Sequence, residues 1–349
     1  MKSHRFAILG NELEDDSCLW VSALLDLGFK EYSVINLTKS DWLVRLNEYN
    51  PTVCLNKPGG YSNRFKHIFD QRLYLIVQYL KIPVYPSLDE VLIYENKAYF
   101  YEWLKINNLP SAETWLFYHL PEALIFAKSA KYPIVAKLNI GASGDGVSFL
   151  KNPAETKLYL ETAFHVGIKP RSGPKLKKGK IIQRAVKIFF TPGALQKKIF
   201  KYKVQSEESQ KGFVIFQEFI PHEYEWRVVR IGESFFAHKK LIEKNKASGS
   251  LLKNYDDPPL DLFEFVKKIT DKYHLYSQAV DVFESENKYI INEMQCIFGQ
   301  SDSFQMLVGG KPGRYTKIKG VWEFEEGDFN KNESYNLRVA YIVDKMDKQ

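Results

Sequence analysis

The sequence predicts an α/β fold that turns to α+β in its later half. Strand-like and helix-like segments alternate through the first ninety residues, the pattern of a mostly parallel sheet. Further on, alternating apolar runs come in pairs joined by short polar turns, which is how antiparallel hairpins read.

Taken in order, FAILG is a buried strand at residues 6–10, residues 16–27 form a helix, and YSVINL is a second strand. A helix near 41–49, the strand TVCLN, a helix over 65–80 and the strand-like IPVYP complete this region. The turn in NKPGGYSNR sets Asn56, Lys57, Ser62, Asn63 and Arg64 at a strand's carboxyl end, where open α/β sheets bind ligands, although NKPGG is equally a simple turn. A helix over 96–108 leads into YPIVAKLNIGASGDGVSFL, a strand, a glycine-rich turn and another strand. FVIFQEFIPHEYEWRVVRIGESFFAHKKLIEK reads as three strands, with a connection at Pro221 and a turn at Gly232. SQAVDVFESENKYIINEMQ is a hairpin turning at ESENK, and SYNLRVAYIVDKMDK carries Leu337, Tyr341, Val343 and Met346 at helical spacing.

Of 349 residues, 45% are hydrophobic and 26% charged, which excludes disorder and is enough chain for about two or three domains. Cys18, Cys54 and Cys296 include no CxxC pair, so neither a disulfide framework nor a zinc ribbon can be built, and a reducing cytoplasm fits. Cys296 reads as a buried thiol with no activating partner. The apolar run at 6–9 is too short for a signal peptide. The longest apolar stretch, near 73–80, is broken by Gln78 and falls short of the roughly 20 residues of a membrane span, so a soluble protein is expected. The net charge of +7 has one source: residues 165–206 hold twelve basic side chains and no acidic one, leaving the rest of the chain at −5. Such a segment draws in an anion or, broken up by Gly and Pro, stands as a solvated insertion.

Rossmann and Walker loops open a helix whose N-terminus holds phosphate. Here Gly141, Gly144 and Gly146 precede Val147, Phe149 and Leu150, a strand-like run, and Gly310-Lys311 is followed by Pro312, so both motifs are absent. What remains is a glycine loop between antiparallel strands with Lys137 just before it, able to fold amides over triphosphate oxygens. Asp281 and Glu293 lie in adjacent apolar strands, where uncompensated carboxylates are costly. With Gln295 on the face of Glu293, they form an oxygen-rich pocket suited to Mg²⁺. Glu218 and Glu225 flank the Pro221 connection, and the hairpin ends on Lys239-Lys240. The seven histidines show no metal spacing, and His222 and His238 read as polar neighbours rather than general bases.

In this order the pieces resemble the ATP-grasp superfamily over residues 5–310, among them D-alanine:D-alanine ligases, glutathione synthetases and ribosomal-protein glutamate ligases. The resemblance implies an N-terminal parallel-sheet domain (1–92), a lobe with the glycine loop and the basic insertion (93–215), a second lobe gripping ATP (216–325) and a helical tail (326–349). It implies that Lys97 and Lys137 contact phosphates under a loop containing Gly141, Ser143 and Gly144. By the same likeness Gln217, Glu218, Phe219 and Ile220 hold adenine, Glu225 the ribose, and Asp281, Glu293 and Gln295 two Mg²⁺ ions, with Mn²⁺ as a substitute. Gln295 stands where most members have Asn, and Ala279 where some ligases have an arginine, which leaves Arg227, Lys239 and Lys240 to stabilise an acyl phosphate. A narrower likeness, to ATP-grasp proteins reading QEFI…R…AxKK/R…ASGSG, is carried by AHKKLIEKNKASGS and implies that Ser248, Gly249 and Ser250 border the triphosphate or the acceptor. Arg314, within KPGRYTKIKGVWEFEE, is a candidate for closing the acceptor pocket.

The activity implied is ATP-dependent joining of a carboxylate to an amine, on a small-molecule, glycan or peptide substrate of anionic character. A kinase that stops at phosphoryl transfer and a catalytically weak module that binds an anionic polymer stay open. Nucleic acid is a disfavoured partner because the body of the chain is acidic, and neither substrate identity nor oligomeric state is written in the residues.

Overall fold

The computed structural model of the protein describes all residues except 1–3, 12–16, 61, 142–145, 171–193, 244–245, 248–252, 301 and 349. Ser143, Gly144, Ser248, Gly249, Ser250 and most of the basic segment therefore lie outside the described residues. The chain divides into two compact units, one of residues 1–59, 67–112 and 220–349, the other of 60–66 and 113–219.

The first unit opens with β1 (Phe6–Gly10), α1 (Cys18–Asp26), β2 (Tyr32–Asn36), α2 (Trp42–Tyr49) and β3 (Val53–Asn56). Helix α3 (Asn63–Leu75), of which residues 67–75 belong to this unit, a π-helical turn (Ile76–Leu80) and β4 (Val84–Tyr85) follow, and the four strands form a parallel sheet in the order β2-β1-β3-β4. The central strands β1 and β3 are buried at every residue, as near-continuous apolar strands covered on both faces should be. Ser87 and Glu90 form a reciprocal capping box that starts α4 (Leu88–Ile93). Asn96, whose side chain accepts from Tyr99 N, caps α5 (Lys97–Ile106).

The second unit contains β5 (Thr114–Phe117), α6 (Leu120–Ser129), β6 (Ile134–Lys137), β7 (Val147–Leu150), α7 (Pro153–His165), α8 (Ala194–Glu207) and β8 (Val214–Glu218). Its antiparallel sheet has the order β5-β8-β6-β7. One face buries Ile134, Ala136, Val214 and Phe216 against Ala123, Ala127, Leu160 and Ala163 of α6 and α7. Strand alternation puts Val135, Lys137, Ile215 and Gln217 on the other face.

The first unit resumes with β9 (Tyr224–Ile231), β10 (Ser234–Glu243), β11 (Lys246–Ala247), β12 (Lys253–Asn254), α9 (Leu260–Lys272), β13 (Ser277–Ser285) and β14 (Lys288–Gln295). It ends with β15 (Leu307–Val308), β16 (Lys311–Ile318), β17 (Val321–Glu326) and α10 (Tyr335–Asp347). The sheet runs β14-β13-β9-β10-β16-β15, with β11 and β12 on β10 and β17 on β16. Gly232, at φ 57°, and Glu233 make the two-residue turn that fixes Ile231 opposite Ser234. Tyr335, Val339 and Ile342 of α10 join the core of the parallel sheet, where the Tyr335 ring meets Trp20 edge-on at 4.7 Å.

The β/α alternation expected of the first ninety residues is present, as are both strands beside the glycine loop and the two later hairpins. Strand β5 and helices α4, α6, α7, α8 and α9 have no counterpart among the elements expected from the sequence. Among the described residues no helix is long and apolar enough to cross a membrane.

Candidate active site

Cross-strand register in the first unit gathers charged side chains on one sheet face. Asp281 of β13 stands opposite Glu293 of β14 on one side and opposite Arg227 of β9 on the other, while Glu225 stands opposite Lys240 of β10. Directly opposed residues share a face, so Glu293, Asp281, Arg227, Glu225 and Lys240 all project together. Arg227 grips Asp281 bidentately, Nε to Oδ1 at 2.8 Å and Nη2 to Oδ2 at 2.9 Å. Lys240 Nζ donates to Asp281 Oδ2 at 2.7 Å and to Glu225 Oε2 at 2.8 Å. The β13–β14 register shifts between Asp281 and Val282, leaving Asn292 as the extra residue of a bulge, and its amide donates to Glu225 Oε1 at 3.2 Å. The ring of His222 lies 3.7 Å from the same oxygen, with its Nδ1 at 2.6 Å from the Ile220 carbonyl.

Asp281, Glu225 and Lys240 are buried and Arg227 and Glu293 partly so, and their charges compensate. Burial would raise the Asp281 carboxyl, but Arg227 and Lys240 hold it well below the usual carboxylate range. Burial likewise works against Glu225, and Lys240 with the His222 bond brings it below its ordinary value. Lys240 stays above its ordinary value because Asp281 and Glu225 outweigh its burial. His238, fully enclosed beside Arg227 and Lys253, is pushed down to about 3 and is therefore neutral, with Nδ1 3.2 Å from the Gln305 carbonyl.

Lys97 is the first residue of α5, and its Nζ lies 3.7 Å from Glu293 Oε1. The hydroxyl of Tyr101 on the same helix donates to the Asn292 carbonyl at 3.2 Å and so ties α5 to β14. Burial lowers the Lys97 ammonium, and Glu293 with Glu95 more than restores it.

In the second unit Lys137 ends β6 between Val147 and Ile215 and is buried. The loop that follows closes through Leu138 N donating to the Gly146 carbonyl at 2.8 Å, and Gly141 takes φ 154°. Asn139 anchors its start, bonding Gln210 Oε1 through its backbone and Asn63 Oδ1 through its amide. Gln217 donates to Thr114 Oγ1 at 3.1 Å. Glu218 is exposed and accepts from Glu113 N at 2.8 Å, and the Phe219 ring packs edge-on against Phe149 at 5.8 Å.

No family model matches the sequence, and no curated protein does. Solved structures match over most of the chain. A D-alanine–D-alanine ligase from Bacillus anthracis aligns over 99% of this chain and 98% of its own, at 11% identity and TM-score 0.51. A carboxyaminoimidazole ribonucleotide synthase from Aspergillus clavatus, complexed with ATP, aligns over 86% and 72%, at 12% identity and TM-score 0.54. The biotin carboxylase domain of the Hydrogenobacter thermophilus 2-oxoglutarate carboxylase, complexed with MgADP and bicarbonate, aligns over 86% and 66%, at 14% identity and TM-score 0.52.

The chain has the ATP-grasp fold. Of the ATP-grasp positions read from the sequence, Lys97, Glu225, Arg227, Lys240, Asp281 and Glu293 come together in the first unit, and Gln295 stands opposite Ala279 on the face of Glu293. Lys239 does not join them. It stands opposite Trp226, so it occupies the other sheet face, over the rings of Tyr224 and Trp226 at 4.4 and 5.0 Å and bonded to Asp256 at 3.1 Å. Arg314 pairs with Glu325 and donates to Ser234 Oγ at 2.9 Å. Asn292 and His222, both in bonding distance or near it around Glu225, escaped the sequence reading as site residues. A bulge carries no residue signature, and a lone histidine without metal spacing marks no site in a sequence.

Among the described residues no group of three or more His, Cys, Asp or Glu could hold a metal ion. Mg²⁺ needs only one or two carboxylates, its shell being completed by water and phosphate. Glu293, part-exposed, and Gln295 fit that demand as they stand, whereas both oxygens of Asp281 are committed to Arg227 and Lys240.

Proposed function

We propose that the protein is an ATP-dependent carboxylate–amine ligase. The observation that carries this is the charge-compensated cluster of Arg227, Lys240, Asp281 and Glu225 beside the Lys97–Glu293 pair, set on one sheet face of an ATP-grasp fold. Three cations held in place by carboxylates are preorganised to meet anionic oxygens without having to be ordered during reaction.

In this reading a carboxylate oxygen of the substrate attacks the γ-phosphorus of ATP and the β–γ bridging bond breaks toward ADP. The amine nitrogen then attacks the acyl carbon, the C–O bond to phosphate breaks with its electron pair, and the amine proton passes to solvent or to the leaving phosphate. Carboxylate is a poor electrophile, and phosphorylation supplies the leaving group. Lys97 neutralises a phosphate oxygen; the resemblance gives phosphate contacts to Lys137 and Gly141 of the second unit, and to Ser143 and Gly144, which lie outside the described residues. The segment from Gln217 through Glu218 and Phe219 to Ile220 takes adenine, and Glu225 the ribose. Arg227 and Lys240 stabilise the acyl phosphate; Lys239 is left out because it lies on the opposite face. Mg²⁺, held by Glu293 and Gln295 with Asp281 in exchange for one of its cation partners, would screen triphosphate charge. The substrate class proposed is a small anionic molecule, peptide or glycan.

A phosphate-release screen with ATP, Mg²⁺ and a matrix of amino acids, amines and acidic sugars, followed by mass spectrometry, tests the reading. An amine-dependent release of phosphate with an amide product is expected. A stable phosphorylated acceptor that forms without an amine would make the protein a kinase instead, and absence of any nucleotide-dependent product across the matrix would remove the ligase assignment.

A further inference from the structure

Among the described residues of the first unit Arg230 and Arg338 are fully enclosed and Arg227 is largely so, and Arg227 and Arg230 have anionic partners. Arg227 holds Asp281. Arg230, with no exposed surface, donates to the Gly232 carbonyl at 2.8 Å and to Thr270 Oγ1 at 2.7 Å and pairs with Asp271 at 2.6 Å; only its Nη2, 3.5 Å from Glu233, makes no hydrogen bond. Arg338 of α10 differs. It too is fully enclosed, yet its Nε, Nη1 and Nη2 have no hydrogen-bond partner, and no carboxylate pairs with it among the described residues. Its flat faces are covered, with Cζ 4.2 Å from the centre of the Phe298 ring and 4.7 Å from that of Tyr335. What stays unused is the in-plane edge, where all five N–H groups point. The buried Tyr85 hydroxyl at the end of β4 likewise has no hydrogen-bond partner, and its ring meets Trp20 at 6.3 Å, which in turn meets the Tyr335 ring that lies under Arg338. Burial pushes the Tyr85 phenol far up, and the Arg338 charge is the strongest influence opposing this.

An enclosed cation with an idle donor edge is expensive, because rings over its faces do not replace hydrogen bonds to its N–H groups. We propose that Arg338 and Tyr85 form a binding site for a small carboxylate. The guanidinium fork matches a planar carboxylate bidentately, and the unpaired Tyr85 hydroxyl adds a donor. One positive charge balances one carboxylate. A phosphate dianion would leave a buried negative charge over, so the site selects a planar monoanion.

The test needs no nucleotide, so its outcome is independent of the ligase reading. Thermal melts of the full chain are recorded in chloride, acetate and phosphate at fixed pH and ionic strength. Acetate is expected to raise Tm progressively above its value in chloride, since a ligand that binds only the folded state stabilises it. Arg338→Met keeps the volume and should abolish the difference between acetate and chloride, which also cancels general salt effects on the solvent. Tyr85→Phe removes only an unpaired hydroxyl and should weaken the response; if Arg338→Met does not fold, this variant decides alone. Equal Tm in acetate and chloride for the wild type, an undiminished response in either variant, or a shift by phosphate and not by acetate would each overturn the proposal.

Discussion

The guanidinium of Arg227 and the carboxylate of Asp281 face each other on paired strands and join through two parallel bonds of 2.8 and 2.9 Å, with Asp281 only 1% exposed. Because Lys240 also donates to this carboxylate at 2.7 Å, Asp281 is the common anion of two cations, Lys240 buried and Arg227 largely so. Asp281→Asn would strand both, and breaking a buried pair by removing one partner costs about 3 to 5 kcal/mol. Denaturant midpoints for Asp281→Asn, Arg227→Met and the double variant should show a coupling energy above about 1 kcal/mol. Additive losses would mean the pair does not act as a unit.

Lys97 and Glu293 are related more loosely, at 3.7 Å with Glu293 partly exposed. Glu293→Gln should therefore change stability by less than about 1 kcal/mol. Under the proposed function the same substitution lowers ATP turnover by about 100-fold or more. Turnover near wild type in a stable Glu293→Gln protein would withdraw this residue from the site.

Glu90 sits wholly inside the first unit, where it accepts from the backbone N–H groups of Ser87 and Ser277. Burial pushes its carboxyl up to about 7. The native protein then keeps a proton that the unfolded chain gives up near its ordinary value of 4.5. Stability from this group is complete below that value and falls as pH rises toward 7, by about 3 kcal/mol in all. Glu90→Gln should remove this slope at a constant cost of about 1 kcal/mol for one lost acceptor. The check is the change in unfolding free energy between pH 5 and 7 relative to wild type, and equal slopes would refute it.

Gly232 turns the β9–β10 hairpin at φ 57°, and a Cβ there would lie 2.3 Å from the Tyr341 ring of α10. Gly232→Ala should cost about 1 to 3 kcal/mol, combining left-handed strain with a forced shift of the helix. Calorimetric melting measures it, and a Tm equal to wild type would show that α10 yields freely.

The β/α order of the first ninety residues and the later hairpins were legible in the sequence because strand and helix periods are local properties of the chain. So were Asp281 and Glu293, since a carboxylate in an apolar strand stands out without knowledge of its partners. The side taken by Lys239 and Lys240 was also within reach, as the two-residue turn at Gly232-Glu233 sets Lys240 opposite Glu225 once the pairing is counted out. Tertiary structure alone decided the rest. Strands β9 and β13 are neighbours though 45 or more residues apart, and that pairing, which no local pattern encodes, is what brings Arg227 to Asp281. The bulge that turns Asn292 to Glu225 depends on how two strands slip against each other. The unmatched guanidinium of Arg338 shows only when every neighbour is in place, because what marks it is the partner it lacks.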